Sequence, residues 1–249
     1  PVWSGLRPVK DVIVCSGVLP RETVGVIYAV TGVSLFEPDK WDARAFRREE
    51  GIADDRFLVA QVGVREWKGW KELIDAVASI LPTHPHAHLA LIGCRDAREQ
   101  AEVNAYARDR SVAPQVTGVE YRDGMPNGFA AGDLVVDASW AGTGITGTIR
   151  EAMAMRKPVI ATDCGGNREL VSSSEVGWLI PSKEVAPLAR AIAGVIDDEP
   201  RRTRVAANAR EHVVRGFSKE LRIARLEKLY TTETQRTQRN LFVPFVSLW

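Results

Sequence analysis

From residue 57 onward, short apolar runs alternate with amphipathic stretches. FLVAQVG (57–63), HLALIG (88–93), QVTGV (115–119), DLVVDAS (133–139), PVIATD (158–163) and GWLI (177–180) read as strands. Between the first two, Trp70 to Leu81 places Leu73, Ile74, Val77 and Ile80 on one stripe, and Pro82 and Pro85 punctuate its end. Further helices are predicted over Ala97–Arg110, Thr146–Met155, Val185–Ile196 and Pro200–Val214, with Pro200 suited to a first helical position. Near-continuous apolar strands alternating with helices imply a Rossmann-like α/β fold, a parallel sheet covered by helices on both faces. Ligands of such sheets bind where strand carboxyl ends lead into helix N-termini. The loops after 63, 93, 118, 139 and 163 are therefore the places to search. The first 50 residues differ: VIVC (12–15) and VGVIYAV (24–30) read as two strands, and FEPDKWDAR (36–44) as a linker into the body.

Composition narrows the picture. A chain of 249 residues suffices for one large domain, or one with extensions. Its net charge of +1 gives no field argument for nucleic acid or an anionic membrane. Cys15, Cys94 and Cys164 are odd in number and lack a C-x-x-C pair, which argues against a disulfide framework or zinc site and for a reducing compartment. No signal peptide is read, and no run reaches the ~18 apolar residues that span a bilayer. The apolar tail LFVPFVSLW (241–249) is expected to pack on the body, with membrane contact or a missing domain as alternatives.

The candidate chemistry lies in three loops. VGVREWKGWKE (62–72) puts Arg65 and Lys68 at a strand end before a helix, where two cations suit a departing diphosphate; the alternative is ordinary solvated charge. SWAGTGITGTIREAM (139–153) leaves bare backbone at Gly142, Gly144 and Gly147, adds hydroxyls at Thr143 and Thr146, and opens a helix. Free N–H groups and the helix dipole make that start an anion site; a tight turn capped by Thr146 is the plainer reading. Glu151, just over a turn further on, can accept hydrogen bonds from ribose hydroxyls. Residues 142–147 are also a literal G-x-G-x-x-G between a strand and a helix, with Asp163 ending the next strand, so a dinucleotide site is a rival. It lies late in the chain, and the first loop carries cations instead. In TDCGGNRELV (162–171), Gly165 and Gly166 precede a short helix, and Asn167 and Glu169 are in place to touch a sugar. His84, His86 and His88 read as a solvated loop rather than a metal site, having no acidic or Cys partner nearby in sequence; Arg201, Arg202 and Arg204 read as a solvated helix face.

VGVREWKG, HLALIG, DLVVDAS, REAMAMRKPVIATDCGGNRELV and GWLIP, taken in order, resemble the C-terminal domain of glycosyltransferase family 4, which has the GT-B fold. The resemblance runs from about 57 to 231 and is most specific at 150–171; VIYAVTGVSLFEPDKWD resembles the family's interdomain linker. It implies residues 1–45 as a remnant of an N-terminal domain and linker, 46–232 as a nucleotide-sugar-binding domain and 233–249 as a tail. It further implies Arg65 and Lys68 on the donor diphosphate, and amides of Thr143 to Thr146, Ile145 among them, on phosphates and sugar. Glu151 matches the second glutamate of the family's pair and would hold the ribose. Gly63, Thr117 and Gly166 join Gly142 and Gly144 as candidate donor-binding positions. Transfer in the family retains anomeric configuration and needs no metal or other cofactor.

Two departures stand out. Positions 141–143, where the family's first glutamate belongs, are Ala141, Gly142 and Thr143. The resemblance also implies an N-terminal domain that supplies the acceptor site and closes the cleft, and almost the whole of it is expected to be absent here. The expected function is hexose transfer from a nucleoside diphosphate sugar to an unknown acceptor. The expected setting is the cytoplasm or the inner face of a membrane, with an N-terminal-domain partner or a second copy and no nucleic acid. The alternatives are a non-catalytic nucleotide-sugar-binding half and an NAD-dependent oxidoreductase using 142–147.

Overall fold

The computed structural model describes residues 2–5, 7–17, 19–121, 125–142 and 144–237. Thr143 and the 241–249 tail lie outside the described residues. The central sheet comprises β3 (Phe57–Val62), β4 (Ala87–Cys94), β5 (Val116–Glu120), β6 (Leu134–Asp137), β7 (Val159–Thr162) and β8 (Trp178–Ile180). All pairings are parallel, in the order β5-β4-β3-β6-β7-β8. The first strand of this sheet, β3, therefore lies beside the fourth, β6, and the strand order reverses between them. In a doubly wound sheet that reversal opens the ligand crevice.

Both faces are covered, which is why the strands read as unbroken apolar runs. On one face Val59, Leu89, Leu91, Leu134, Val136 and Ile160 pack under α3 (Trp70–Ile80), α4 (Ala97–Asp109) and α8 (Val185–Asp197). On the other, Leu58, Ala60, Ile92, Val135, Val159 and Ala161 meet α2 (Ala43–Glu49), α5 (Met125–Ala131), α6 (Gly147–Ala154) and α9 (Glu199–Phe217). Helix starts follow local chemistry. Asp42, Asp96 and Asp198 accept the Ala45, Glu99 and Arg201 amides at 2.9, 2.9 and 3.0 Å.

The N-terminal segment departs from its sequence reading. VIVC is helical: it ends α1 (Arg7–Cys15), which joins β1 (Val2–Ser4) to β2 (Val24–Val26). Those two strands are parallel, and a parallel pair needs a crossover, which a hairpin-like strand pair cannot supply. The 36–44 linker contains the start of α2, so the division at 45/46 falls within that helix; the division at 232/233 falls within α10 (Lys219–Thr237). The N-terminal segment meets the junction of α9 and α10 where the Thr31 amide donates to the Phe217 carbonyl and the Lys219 amide to the Thr31 carbonyl.

The histidine and arginine clusters also differ from expectation. His84 and His88 are buried rather than solvated. His84 Nε2 lies 3.0 Å from Asp197 at the end of α8, an acidic partner distant in sequence, and His88 Nε2 lies 2.8 Å from Thr117 Oγ1. Arg202 is half-buried and donates to the Val195 and Ile196 carbonyls at the end of α8. The three cysteines are free. Among the described residues no helix is long and apolar enough to cross a membrane, and no three His, Cys, Asp or Glu side chains are grouped to hold a metal.

Candidate functional site

Three loops at the carboxyl ends of β3, β6 and β7 enclose an open pocket of about 410 Å³. Its wall includes Trp67 and Lys68 from the first loop; Ser139, Ala141, Gly142, Gly144, Ile145 and Thr146 from the second; Gly147, Thr148 and Glu151 from α6; and Cys164 and Asn167 from the third. The pocket is thus the crevice at the strand-order reversal. Two glycines allow the loops to touch. A side chain at Gly69, where φ is +66°, would begin 2.2 Å from the Ala138 carbonyl oxygen. One at Gly165, where φ is +55°, would begin 2.9 Å from the carbonyl oxygens of both Gly142 and Gly144. Only glycine fits such approaches.

The hub of the pocket is Asp137, the last residue of β6, which is fully buried. Its Oδ1 faces the Lys68 ammonium at 3.1 Å and accepts from Ser139 Oγ at 2.7 Å. Its Oδ2 accepts from Thr146 Oγ1 at 3.0 Å and from Asn167 Nδ2 at 3.4 Å. One carboxylate therefore ties together the loops carrying Lys68, the start of α6 and Asn167. The sequence reading took Asp137 as part of an apolar strand. The available signal was a carboxylate inside a run that must be buried on both faces, which demands partners.

The expected site residues divide. Lys68, Gly142, Gly144, Ile145, Thr146 and Glu151 line the pocket. Gly63, with φ +91°, sits beneath the aliphatic stem of Lys68. Gly166 is buried behind the second loop, its amide donating to the Gly144 carbonyl at 3.1 Å. Arg65 is not brought to the pocket. Its Nη1 lies 3.0 and 2.9 Å from the two oxygens of Glu99, the third residue of α4, which also binds Arg95. Thr117 is not brought there either; it lies within β5, at the far edge of the sheet, bonded to His88. Asn167 reaches the pocket, whereas Glu169 turns to the N-terminal segment, where Tyr28 Oη donates to it at 2.6 Å and the Arg7 amide at 2.9 Å.

Burial pushes the Glu151 carboxyl above the ordinary glutamate range, against the opposing pull of Arg150 and Lys68. Burial likewise raises the Cys164 thiol, and Asp137 adds to that, so this sulfur is no ready nucleophile. Among the described residues the pocket therefore offers one ammonium, the start of a helix and a half-buried carboxyl. That set can hold an anion next to a hydroxyl-bearing group.

A family model described as glycosyl transferases group 1 matches residues 42–212. The chain belongs to this family. It is 32% identical over 223 residues to a D-inositol 3-phosphate glycosyltransferase of Corynebacterium glutamicum, covering 84% of this chain and 51% of the relative. It is 30% identical over 193 residues to the alpha-D-kanosaminyltransferase of Streptomyces kanamyceticus, covering 77% and 50%. The chain spans about half the length of the curated relatives it matches. Among solved structures, Anabaena Alr3699/HepE in complex with UDP and glucose superposes with a TM-score of 0.80 at 26% identity, covering 92% of this chain and 62% of that one. The C-terminal domain of a group 1 glycosyl transferase, LpcC, from Francisella tularensis shares the fold, with a TM-score of 0.66 at 23% identity, over 76% of this chain and 99% of that one. The group 1 chain thus has the Rossmann-like α/β architecture of a GT-B C-terminal domain.

Proposed function

We propose that this group 1 chain is the donor-binding part of a retaining glycosyltransferase of family 4 type, moving a hexose from a nucleoside diphosphate sugar to an acceptor bound elsewhere. The observation that carries the reading is the convergence of Lys68, the α6 start and Glu151 on one pocket at the strand-order reversal. Lys68 meets the charge that develops on the departing diphosphate. The amides that open α6 hold phosphate oxygens, and the Glu151 carboxylate accepts from the ribose hydroxyls. Ala141, Gly142 and Thr143 stand where the family resemblance places a sugar-binding carboxylate, so donor choice falls to other groups in the pocket. Acceptor binding and cleft closure are assigned to an N-terminal domain, in the same chain or in a second one, in the cytoplasm or at the inner face of a membrane.

Calorimetric titration of UDP, GDP and their hexose conjugates tests the reading. One nucleotide series should bind, and Glu151→Ala should weaken it about tenfold, the loss of ~1.4 kcal/mol expected for a charged hydrogen-bond acceptor. Unchanged affinity in Glu151→Ala overturns the assignment. NADH belongs in the same panel, because tight NADH binding without competition from diphosphate sugars would revive the dinucleotide rival.

A further inference from the structure

Two cations were expected beside the diphosphate, yet only Lys68 faces the pocket, since Arg65 is held by Glu99. The donor reading is therefore short of positive charge. Arg150, one turn into α6, is a guanidinium only 8% exposed. Its Nη1 donates to the Ile145 carbonyl at 3.2 Å. Its Nε is buried and has no hydrogen-bond partner among the described residues, and no ion pair there joins it to a carboxylate.

Such a placement is unfavourable for a lone cation. Buried guanidinium groups are normally paired. This one also stands beside a helix N-terminus, where the dipole is already positive, and Arg222 of α10 adds like charge. Burial lowers the guanidinium pKa, Arg222 lowers it further, and only the neighbouring Glu151 opposes them.

The direction of the group is as informative as its burial. The point where a side chain at 147 would begin lies 3.7 Å from Arg150 Nη2 and 3.7 Å from Glu151 Oε1. Gly147 and Glu151 both line the pocket. The guanidinium and the pocket-lining Glu151 carboxyl thus both border the space that a side chain at 147 would enter.

We propose that Arg150 is a diphosphate-binding residue of the donor site, its Nη2 donating to a phosphate oxygen that enters over Gly147. This inference rests on the donor reading and names the second cation of that site. Lys68 from the first loop and Arg150 from α6 then both meet the pyrophosphate, and the incoming anion adds to the partial compensation that Glu151 gives this buried charge.

The test titrates UDP, GDP, the matching nucleosides and inorganic pyrophosphate into the 249-residue chain and its variants. Arg150→Gln should weaken diphosphate and pyrophosphate binding roughly tenfold or more and leave nucleoside binding unchanged. Arg150→Lys should recover part of the loss. Gly147→Ala meets nothing nearer than 3.7 Å, so it should fold normally, yet its methyl fills the window and should weaken diphosphate binding as well. If Arg150→Gln binds diphosphate like the parent while Lys68→Met loses it, this proposal is overturned and the donor reading stands. If the parent binds neither nucleotide series, the donor reading fails. Pyrophosphate then decides for Arg150: held by the parent and released by Arg150→Gln it supports the proposal, and not held at all it overturns it. Should Arg150→Gln fail to fold, unchanged diphosphate affinity in Gly147→Ala overturns it.

Discussion

The Lys68–Asp137 pair gives the sharpest energetic test of the site. The ammonium and carboxylate are 3.1 Å apart, with side chains 13% and 0% exposed. At that separation their attraction is about 5 kcal/mol for an effective dielectric of ~20, and it offsets the cost of removing both from water. Lys68→Met leaves a buried carboxylate with three neutral donors, Ser139, Thr146 and Asn167. Asp137→Asn leaves a buried ammonium and presents an amide nitrogen to groups that donate. Each single change should cost roughly 3 kcal/mol. At ~2–4 °C per kcal/mol for a domain of this size, that lowers the melting midpoint by about 6–12 °C. The double variant removes both charges, so it should recover about 1–3 kcal/mol relative to the sum of the singles. Urea denaturation followed by circular dichroism on all four proteins closes the cycle. Additive losses, with coupling under about 0.5 kcal/mol, would refute the view that Asp137 exists to hold Lys68 in place. Ligand binding supplies a second contrast. Asp137→Asn keeps the ammonium and should lose less pyrophosphate affinity than Lys68→Met, although it destabilises the fold as much.

Three further outcomes follow from the same geometry. Gly69→Ala should destabilise by roughly 2–4 kcal/mol, because the added methyl meets the Ala138 carbonyl and φ is left-handed; a melting curve matching the parent would contradict that contact. His88, buried among Arg56 and Arg47, has its pKa lowered to about 4, burial being the main cause. The folded state therefore favours the neutral ring: this contribution is complete above the unfolded value of ~6.5 and is lost as pH falls towards 4, by up to about 3 kcal/mol. Urea midpoints from pH 7 to 4 should show a weaker slope in His88→Phe than in the parent; equal slopes would remove His88 from the account. Finally, burial raises the Glu151 carboxyl, so nucleotide affinity that depends on its carboxylate should begin to fall at a pH above the ordinary glutamate range. Calorimetry across pH checks this, and a decline confined to the ordinary range would show that Glu151 does not accept from the ligand.

Much of the frame was legible because parallel strands buried on both faces cannot hide. The six strands from β3 to β8 appear in the sequence as apolar runs within a residue or two of their bounds. Helices with a strong stripe, such as α3 and α8, were equally plain. VIVC taken alone is rich in β-branched residues and reads as a strand, whereas the whole stretch Arg7–Cys15 is amphipathic at helical spacing and bridges a parallel pair. α5 went unnoticed because MPNGFAA carries both Pro and Gly inside one short element; Gly128 there packs against Ile92 and Phe46, where a larger residue would not fit. The pocket was legible as a set of loops but not as a set of directions. Strand order decides that the loops after β3 and β6 are neighbours and that β5, with Thr117, is remote. Nothing local to VREWK announces that Glu99, thirty-four residues on, captures Arg65.

The glycine pattern at 142–147 shows how one spacing can arise from two physical demands. In a dinucleotide fold the glycines let a cofactor's pyrophosphate approach the first strand–helix turn of the sheet. Here the pattern follows β6, the fourth strand of the sheet, and the carbonyls of Gly142 and Gly144 lie against Gly165 of the next loop, whose missing side chain admits them. The Gly166 amide then bonds the Gly144 carbonyl, and Asn167 Oδ1 accepts from the Thr146 amide at 3.2 Å. The first two glycines of the pattern thus serve contact between loops. All three glycines also line the pocket, and at Gly147, the first residue of α6, the space a side chain would enter is bounded by a guanidinium and a carboxyl. The acid that completes the fingerprint by spacing, Asp163, is paired with Arg168 on the exposed side of the third loop. The resemblance to a dinucleotide motif therefore follows from loops packing tightly at a strand-order reversal. The chemistry proposed for the site draws on Lys68 and Glu151, which the motif does not contain, together with the start of α6, which it does.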